Sequence, residues 1–389
     1  MRRLSYDGVV LTAPVTVPYV RYSQETAHWW IARGLRGVLD RAGMRPQELD
    51  GFSVSSFTLF PDTPVGLTQH LGLTPRYLDT IPMGGASGVV AARRAARAVQ
   101  AGDADVVACV AGDANRIDSF RRLLSAFSRF SMDAAYPYGY GGPNANFALL
   151  TDAYMAEYGA TREDFGRIAV AQRDNALRNP DALMKKPLTM EQYLSARPVS
   201  DPVALFDCVM PCAGAEAFLV MREEEAERRG LAFARIDGTI ERHNAFPDDP
   251  IQLRGGWAMD VDELYEMARC APGDIDLLQT YDDYPVISMM QIEDLGFCAK
   301  GEAPAFVRGH DLTVTGDFPH NTSGGQLSVG QAGAAGGYLG MVEAIRQVTG
   351  EAGPTQVENA SKALVSGFGM INYDRGVCSA AAIISGGAA

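Results

Sequence analysis

The chain repeats one order of predicted elements, and this repeat constrains the fold more than any other feature. A predicted helix is followed by MRPQELDG at residues 44–51 and then by a strand, and CAPGDIDL at residues 270–277 lies between the same kinds of element. Later in each copy a glycine-rich run leads into a helix, at residues 84–88 and again between residues 323 and 340. Two offsets of similar size in the same order indicate internal duplication. The sequence therefore predicts two related halves, residues 1–225 and 226–389.

The first half alternates strand and helix patterns, which predicts an α/β fold. Residues 104–111 (ADVVACVA) form a continuous apolar run, typical of a strand that is buried on both faces. Strands separated by helices form parallel βαβ units. The other predicted elements are strands at 7–11 and 49–57 and helices at 25–42, 64–71 and 87–101.

Residues 114–203 depart from this regular pattern and are rich in Tyr, Asn, Arg and Pro. A long excursion of this kind inside an α/β chain more often serves a function than forms a structureless loop. Within it, Tyr136, Tyr138 and Tyr140 could line an apolar pocket or a subunit interface. Arg121 and Arg122 could contact phosphates or form a solvated basic pair.

Charge and composition exclude several classes of function. The 389 residues include 47 acidic and 34 basic side chains, a net charge of −13 that disfavours nucleic-acid binding. No uncharged apolar stretch is long enough to suggest a membrane span, and MRRLSYD at the start lacks a secretory apolar run, so a cytoplasmic location is expected. The six cysteines lack metal-site spacing, so no metal is expected and most are predicted to be reduced core thiols.

The two glycine-rich turns are candidates for a binding site. Each turn begins a predicted helix, whose N-terminus offers backbone N–H groups and the positive end of the helix dipole. Close helix packing would also explain the glycines. Because the turns are matched in both halves, we predict that they face one shared cleft.

Five groups of segments, in order along the chain, resemble the thiolase superfamily, and most closely its sterol-carrier-protein-X-like and lipid-transfer-protein-like branch. Together they span nearly the whole chain. They are MGGASG at 83–88; YMAEYG at 154–159 with NP at 179–180 and LFDC at 205–208; YDDY at 281–284 with EDLGFC at 293–298; NTSGG at 321–325, running on to Gly336; and SGFG at 366–369.

The resemblance implies a five-layered α-β-α-β-α fold built from two similar halves, with an inserted loop domain. It also implies a CoA thioester as substrate, no permanently bound cofactor, and a homodimer. Many relatives in this branch resemble proteins that work with a small zinc-ribbon/OB-fold partner, so the resemblance implies that such a partner is possible here too.

The chain departs from the thiolase pattern at the residues that would form an acyl-enzyme. Where the family has its nucleophilic Cys, this chain has Gly85, and where the family has its activating His, it has Gln331. A second family Cys falls near Val365, and Tyr281 replaces the Asn or His of another motif. Glycine cannot attack a thioester and glutamine takes no proton at neutral pH, so the usual acyl-enzyme route is not expected.

A site that stabilises an enolate without a nucleophile suits carbon–carbon cleavage. Backbone N–H groups at Gly85 and near Gly369 would hold the thioester oxygen, with Asn321 as a further substrate-binding residue. The resemblance to lipid-transfer-protein-like steroid side-chain aldolases implies retro-aldol cleavage of a β-hydroxyacyl-CoA. In that mechanism Tyr281 is the acid/base and Gln331, in the place of a second tyrosine, donates a hydrogen bond.

Four further residues each have two interpretations. Asp283 is either a supporting carboxylate or a helix N-cap. His320 is either a proton relay in a turn heading for the cleft or a surface histidine. Cys208 and Cys212 are either a displaced nucleophile or inert thiols. Two alternatives to the lyase therefore stay open: a thiolase or acyltransferase with a displaced nucleophile, and a non-catalytic acyl-CoA-binding subunit.

Overall fold

The computed structural model describes residues 5–117, 133, 136–139, 142–373 and 375–387. Tyr140, Arg121 and Arg122 therefore lie outside the described residues. The strands are β1 (Val9–Val20), β2 (Gly51–Ser55), β3 (Tyr77–Thr80), β4 (Val106–Asp113), β5 (Pro198–Ser200), β6 (Val203–Ala204), β7 (Ala213–Arg222), β8 (Phe233–His243), β9 (Leu277–Gln279), β10 (Lys362–Asn372) and β11 (Arg375–Gly386).

The α-helices are numbered in the order in which they occur in the described part of the chain. They are α1 (Ala27–Ala42), α2 (Pro64–Leu71), α3 (Ser87–Ala101), α4 (Gly142–Tyr158), α5 (Arg162–Arg178), α6 (Met190–Leu194), α7 (Glu223–Arg228), α8 (Trp257–Ala268), α9 (Pro285–Asp294), α10 (Ala303–Gly309), α11 (Gly325–Val329) and α12 (Gly336–Val348). Among these residues no helix has the length and apolarity that crossing a bilayer would require.

The strand order shows two halves with the same topology. In the described residues, nine strands are hydrogen-bonded in the order β3-β2-β4-β7-β1-β8-β11-β10-β9. Read outward from the β1–β8 junction, each half places its last strand (β7 or β11) beside its first, then the strand that precedes the last in this sheet (β4 or β10), and then its second strand (β2 or β9). In the first half β3 comes next, and in the second half an isolated parallel bridge between Leu278 and His320 takes that place.

The helices complete five layers. Helices α3 and α12 pack against each other and against strands of both halves, so they form the central layer. Helix α1 covers β4, β7 and β1 on one side, and α8 covers β8 and β11 on the other. The predicted five-layered α-β-α-β-α arrangement is confirmed.

The central layer depends on glycine at the helix starts. A Cβ on Gly88 would lie closer than 3.0 Å to the Gly337 carbonyl oxygen, and one on Gly337 would lie 2.6 Å from the Gly84 oxygen. The N-terminal ends of α3 and α12 therefore cross almost backbone to backbone. This contact brings the two predicted glycine-rich turns together.

Strand β1 is the clearest error in the predicted elements. The prediction places it at residues 7–11, whereas it runs from Val9 to Val20 and includes Pro14 and Pro18. Its register with β7 shifts twice, between Thr12 and Val15 and again between Val17 and Val20, and each proline lies at one of these shifts. Bulges of this kind tolerate proline, which cannot donate to a ladder. Helices α2 and α3, by contrast, have the predicted bounds.

The described part of the predicted loop domain is largely helical. Helices α4 and α5 each contain 17 residues. Tyr154 on α4 donates a buried hydrogen bond to Glu293, whose other oxygen lies 3.0 Å from Lys300 Nζ. Through such contacts the insertion is fixed to the second half and covers the region where the halves meet.

Candidate active site

A cavity of about 250 Å³ lies where the glycine-rich turns meet the loop domain. Much of its wall is apolar. The polar side chains on the wall belong to four regions: the YDDY segment, the turn before α12, the loop domain, and the segment between β6 and β7. They are Tyr281, Asp283, Tyr284, Gln331, Asn144, Arg197 and Cys208.

Tyr281 and Asp283 form a hydrogen-bonded pair in this cavity. They lie in the turn between β9 and α9, and Tyr281 Oη donates to Asp283 Oδ2 over 2.7 Å. The other oxygen, Asp283 Oδ1, is buried and has no hydrogen-bond partner in the described structure. Burial raises the pKa of Asp283 to about 7. Burial, followed by the charge of Asp283, raises the pKa of Tyr281 well above its usual value.

The backbone of Tyr281 is held by a residue that sequence reasoning missed. Gln291 Nε2 donates to the Tyr281 carbonyl over 2.7 Å, and its Oε1 accepts from Tyr281 N over 3.2 Å. Ser366 Oγ donates to the same Oε1 over 2.7 Å. A lone amide within the apolar run of α9 was the available signal, because a buried amide must find partners.

The other two residues of the YDDY segment have structural contacts. Asp282 accepts hydrogen bonds from the backbone N–H groups of Gln326 (3.0 Å) and Leu327 (3.3 Å). Both donors lie in the first turn of α11, so Asp282 stabilises the start of that helix. Tyr284 donates to Asn144 of the loop domain, and its ring stacks on Phe147 with 4.0 Å between centroids. The segment thus connects the second half to the insertion.

Gly85 lies directly against the Tyr281 ring. A Cβ built on Gly85 would approach the ring carbons Cε2, Cζ and Cδ2 well inside 3.0 Å, a separation that real Cβ contacts essentially never show. The tyrosine ring therefore occupies the space into which a side chain at residue 85 would project.

Gln331 reaches the cavity from the turn before α12. Its side chain donates to the Gly333 carbonyl and accepts from the Gly333 N–H, each over 3.2 Å. Asp113, a second residue that the sequence reasoning missed, fixes this turn because Oδ2 accepts from Ala334 N over 2.7 Å. Its Oδ1 accepts from Thr58 N over 2.7 Å. The signal was an acid at the carboxyl end of buried strand β4, where α/β sites commonly form.

Three predicted site residues do not line this cavity. His320 is fully buried, with Nε2 2.8 Å from Thr280 Oγ1, and burial lowers its pKa to about 3. It is therefore neutral at pH 7 and faces the protein interior rather than the cleft. Asn321 accepts from Thr280 N over 2.8 Å and borders a small separate void behind Tyr281. Gly369 lies within β10 opposite Cys378.

The two candidate thiols differ in position and share a raised pKa. Cys208 lines the cavity, and burial, followed by the charge of Asp207, raises its pKa to about 12. Cys212 is buried away from the cavity wall, and burial alone raises its pKa well above the usual value. Both are thiols at neutral pH, whereas the thiolate is the nucleophile. Of the loop-domain tyrosines, Tyr138 is 87% exposed and Tyr136 is 54% exposed, and neither borders the cavity.

Comparison with known proteins shows which family the chain belongs to. Residues 242–379 match the family model described as Thiolase C-terminal domain-like. Over 327 residues the chain is 32% identical to a steroid side-chain-cleaving aldolase of Thermomonospora curvata, a match that covers 79% of this chain and 82% of that protein. The chain belongs to the thiolase superfamily. The predicted resemblance is therefore confirmed.

Two further relatives of this thiolase-superfamily chain cover most of its length. It is 31% identical to a 17-hydroxy-3-oxo-4-pregnene-20-carboxyl-CoA lyase of Mycobacterium tuberculosis, over 82% of this chain and 86% of that one. A solved structure, the Ltp2-ChsH2(DUF35) aldolase, superposes with a TM-score of 0.82 at 26% identity and covers 97% of this chain and 98% of its own.

The geometry defines what this member of the superfamily can do chemically. The turn before α3 carries no side-chain nucleophile at Gly85, and a tyrosine–carboxylate pair lies against it. Such a pair can move a proton between a substrate oxygen and Asp283. The site is therefore suited to acid/base chemistry.

Proposed function

We propose that this chain is a lyase that cleaves a β-hydroxyacyl-CoA by a retro-aldol reaction. One observation carries the proposal: the Tyr281–Asp283 pair lies in the cavity, where the Tyr281 ring occupies the space beside Gly85. The names of two relatives, an aldolase and a CoA lyase, support the same chemistry.

The proton transfer follows from the two pKa shifts. A free tyrosinate is unfavourable at Tyr281, whereas Asp283 titrates near neutrality. The β-hydroxyl proton of the substrate passes to Tyr281 Oη while Tyr281 passes its own proton to Asp283. The β-oxygen then forms a carbonyl, and the bond between the α and β carbons breaks. Its electron pair becomes the thioester enolate.

The enolate completes the reaction by taking back the proton at its α carbon. The products are one aldehyde or ketone and one shortened acyl-CoA, so the reaction is redox-neutral. The backbone of Gly85 and Gly333 borders the cavity at the N-terminal ends of α3 and α12, whose positive dipole ends favour an oxyanion. Gln331 adds a side-chain amide near the same place.

Arg197 is a candidate contact for an anionic group of the CoA thioester. It is exposed on the cavity wall, and its side chain has no ion-pair partner among the described residues. Replacing Arg197 with alanine should raise KM up to about fivefold with little change in kcat, because an exposed ion pair contributes at most about 1 kcal/mol. Steady-state kinetics with CoA and pantetheine thioesters checks this, with Arg178→Ala, on α5 away from the cavity, as the control. An equal rise in KM for both thioesters would contradict a contact with the CoA phosphates.

We also propose that the chain works as a homodimer with a small zinc-ribbon/OB-fold partner. The name of the solved relative includes a second component, ChsH2(DUF35). Phe60 is 84% exposed and Val65 68%, and an ion pair of 3.0 Å between His28 and Asp62 brings the start of α1 beside them. Exposed apolar groups of this kind are typical of interaction surfaces.

The proposed reaction is tested by intact-protein mass spectrometry together with carbonyl detection. The protein, with and without the partner, is incubated with β-hydroxyacyl-CoA and β-ketoacyl-CoA substrates. We expect carbonyl release without a gain in protein mass. A stable acyl adduct would instead support a displaced-nucleophile thiolase or acyltransferase. Neither signal, with the partner present, would support a non-catalytic acyl-CoA-binding subunit.

Cys208 separates the lyase from the displaced-nucleophile alternative. Cys208→Ser should keep kcat within about threefold, since a thiol with a pKa near 12 is not the attacking group. Steady-state carbonyl release checks this, and Cys270→Ser, outside the cavity, is the matched control. A loss of about 100-fold or more at Cys208 alone would restore the thiol as nucleophile.

A further inference from the structure

We propose that Gly85 is a positioning residue whose missing side chain provides the space for the Tyr281 ring. Position 85 in this chain can then hold a side chain, including a nucleophile, or leave Tyr281 in its working position, but not both. The inference rests on the proposed function for its catalytic consequence, and on packing alone for its structural one.

The tyrosine ring cannot move aside easily. The ring atoms that a Cβ would meet are Cε2, Cζ and Cδ2, which belong to a rigid ring rather than to the end of a flexible chain. The ring is held at both ends: Gln291 binds the Tyr281 backbone over 2.7 Å and 3.2 Å, and Asp283 accepts from the hydroxyl over 2.7 Å. Tyr281 is also only 8% exposed.

The glycine backbone cannot retreat either. On the α12 side, a Cβ on Gly337 would already lie 3.0 Å from Gly85 Cα. On the β10 side, a Cβ on Gly367 would lie 2.7 Å from the Gly85 oxygen. The turn is therefore packed against backbone on two sides and against the Tyr281 ring on another.

A side chain at residue 85 must consequently displace the ring, and with it the hydroxyl that hydrogen-bonds to Asp283. The thiolase nucleophile and this tyrosine compete for one volume. Replacing Gly85 alone should therefore cost the lyase its acid/base group without supplying an effective thiolase. This explains in physical terms why two departures from the thiolase pattern, Gly85 and Tyr281, occur together in one chain.

The experiment is a double-mutant cycle between residues 85 and 281, read by thermal unfolding and by kinetics. Gly85→Ala should lower the unfolding midpoint of the wild-type chain by several degrees, and should not lower it when Tyr281 is replaced by alanine. In the wild-type background it should lower kcat at least 100-fold with little change in KM. Gly273→Ala is the matched control, since a Cβ there meets nothing within 4 Å.

Two outcomes would overturn the inference. One is an equal fall in the unfolding midpoint in both backgrounds, and the other is full lyase activity in Gly85→Ala. If Gly85→Ala fails to fold, recovery of a folded Gly85→Ala/Tyr281→Ala protein supports the competition, and its failure to fold contradicts it. The unfolding cycle needs no substrate, so it still tests the packing if the wild-type chain shows no lyase activity with any substrate.

Discussion

Tyr281→Phe is expected to lower kcat for carbonyl release by about 10²–10⁴-fold, the range for loss of a positioned acid/base group. The phenylalanine ring still occupies the space beside Gly85, so the cavity keeps its shape and acyl-CoA binding should change little. Carbonyl release followed at saturating substrate measures the first effect. Equilibrium binding of an unreactive acyl-CoA measures the second.

Tyr338→Phe is the matched control for this prediction. Tyr338 is also a buried tyrosine, but its hydroxyl lies 3.2 Å from Ser55 Oγ and outside the cavity. The same chemical change should there affect stability and leave kcat nearly unchanged. A Tyr281→Phe protein that retains more than about a tenth of the wild-type kcat would contradict an acid/base role for the hydroxyl.

Asp283→Asn should produce the second large loss, about 10²–10⁴-fold in kcat/KM, and should also change the pH profile. Asp283 accepts the proton only as a carboxylate, and its pKa is raised to about 7. The wild-type rate should therefore rise with pH through about 7 and then level off. Residual Asp283→Asn activity should lack this rise, which kcat/KM measured between about pH 5 and pH 9 would reveal.

The neighbouring carboxylate provides the contrast for this profile. Asp282 begins α11 through two backbone N–H groups and has its own pKa raised to about 6 by burial. Asp282→Asn should lower the unfolding midpoint but keep a rise in rate near pH 7. If the rise moved with Asp282 and persisted in Asp283→Asn, the proton acceptor would have to be reassigned.

The fold was predictable because its determinants are local. Glycine-rich turns, apolar strands and the repeated order of elements can each be read from short stretches, and together they indicate two α/β halves. Strand β1 was not predicted at full length because Pro14 and Pro18 resemble strand breaks, although they occupy a bulged region.

Site residues could be predicted only where they belong to a recognisable sequence motif. Tyr281, Asp283 and Gln331 were expected in the cleft, and all three border one cavity. The contact between Gly85 and Tyr281 joins residues from different halves, so no local pattern signals it. Gln291 and Asp113 each had a signal in the sequence, but the backbone groups that they bind are identified only in the folded chain.

His320 shows that residue type alone does not predict the charge or the surroundings of a side chain. Its type suits a proton relay and its place beside a turn suits a surface histidine, whereas the structure buries it against Thr280, and burial lowers its pKa to about 3. Residue type indicates what a side chain can do in water. Burial then decides its charge, and burial is a property of the whole chain.

The β1–β8 junction has a consequence for how a substrate is expected to reach the cavity. Backbone pairing of residues 10–12 with 233–235 makes the two halves one continuous ladder, and the crossing of α3 and α12 fuses them a second time. Within the described residues the two halves are therefore joined at two places, which opposes opening of the cleft by a movement of one half against the other. We expect substrate and product to pass instead on the side covered by the insertion, where the exposed residues Arg197 and Leu205 line the cavity.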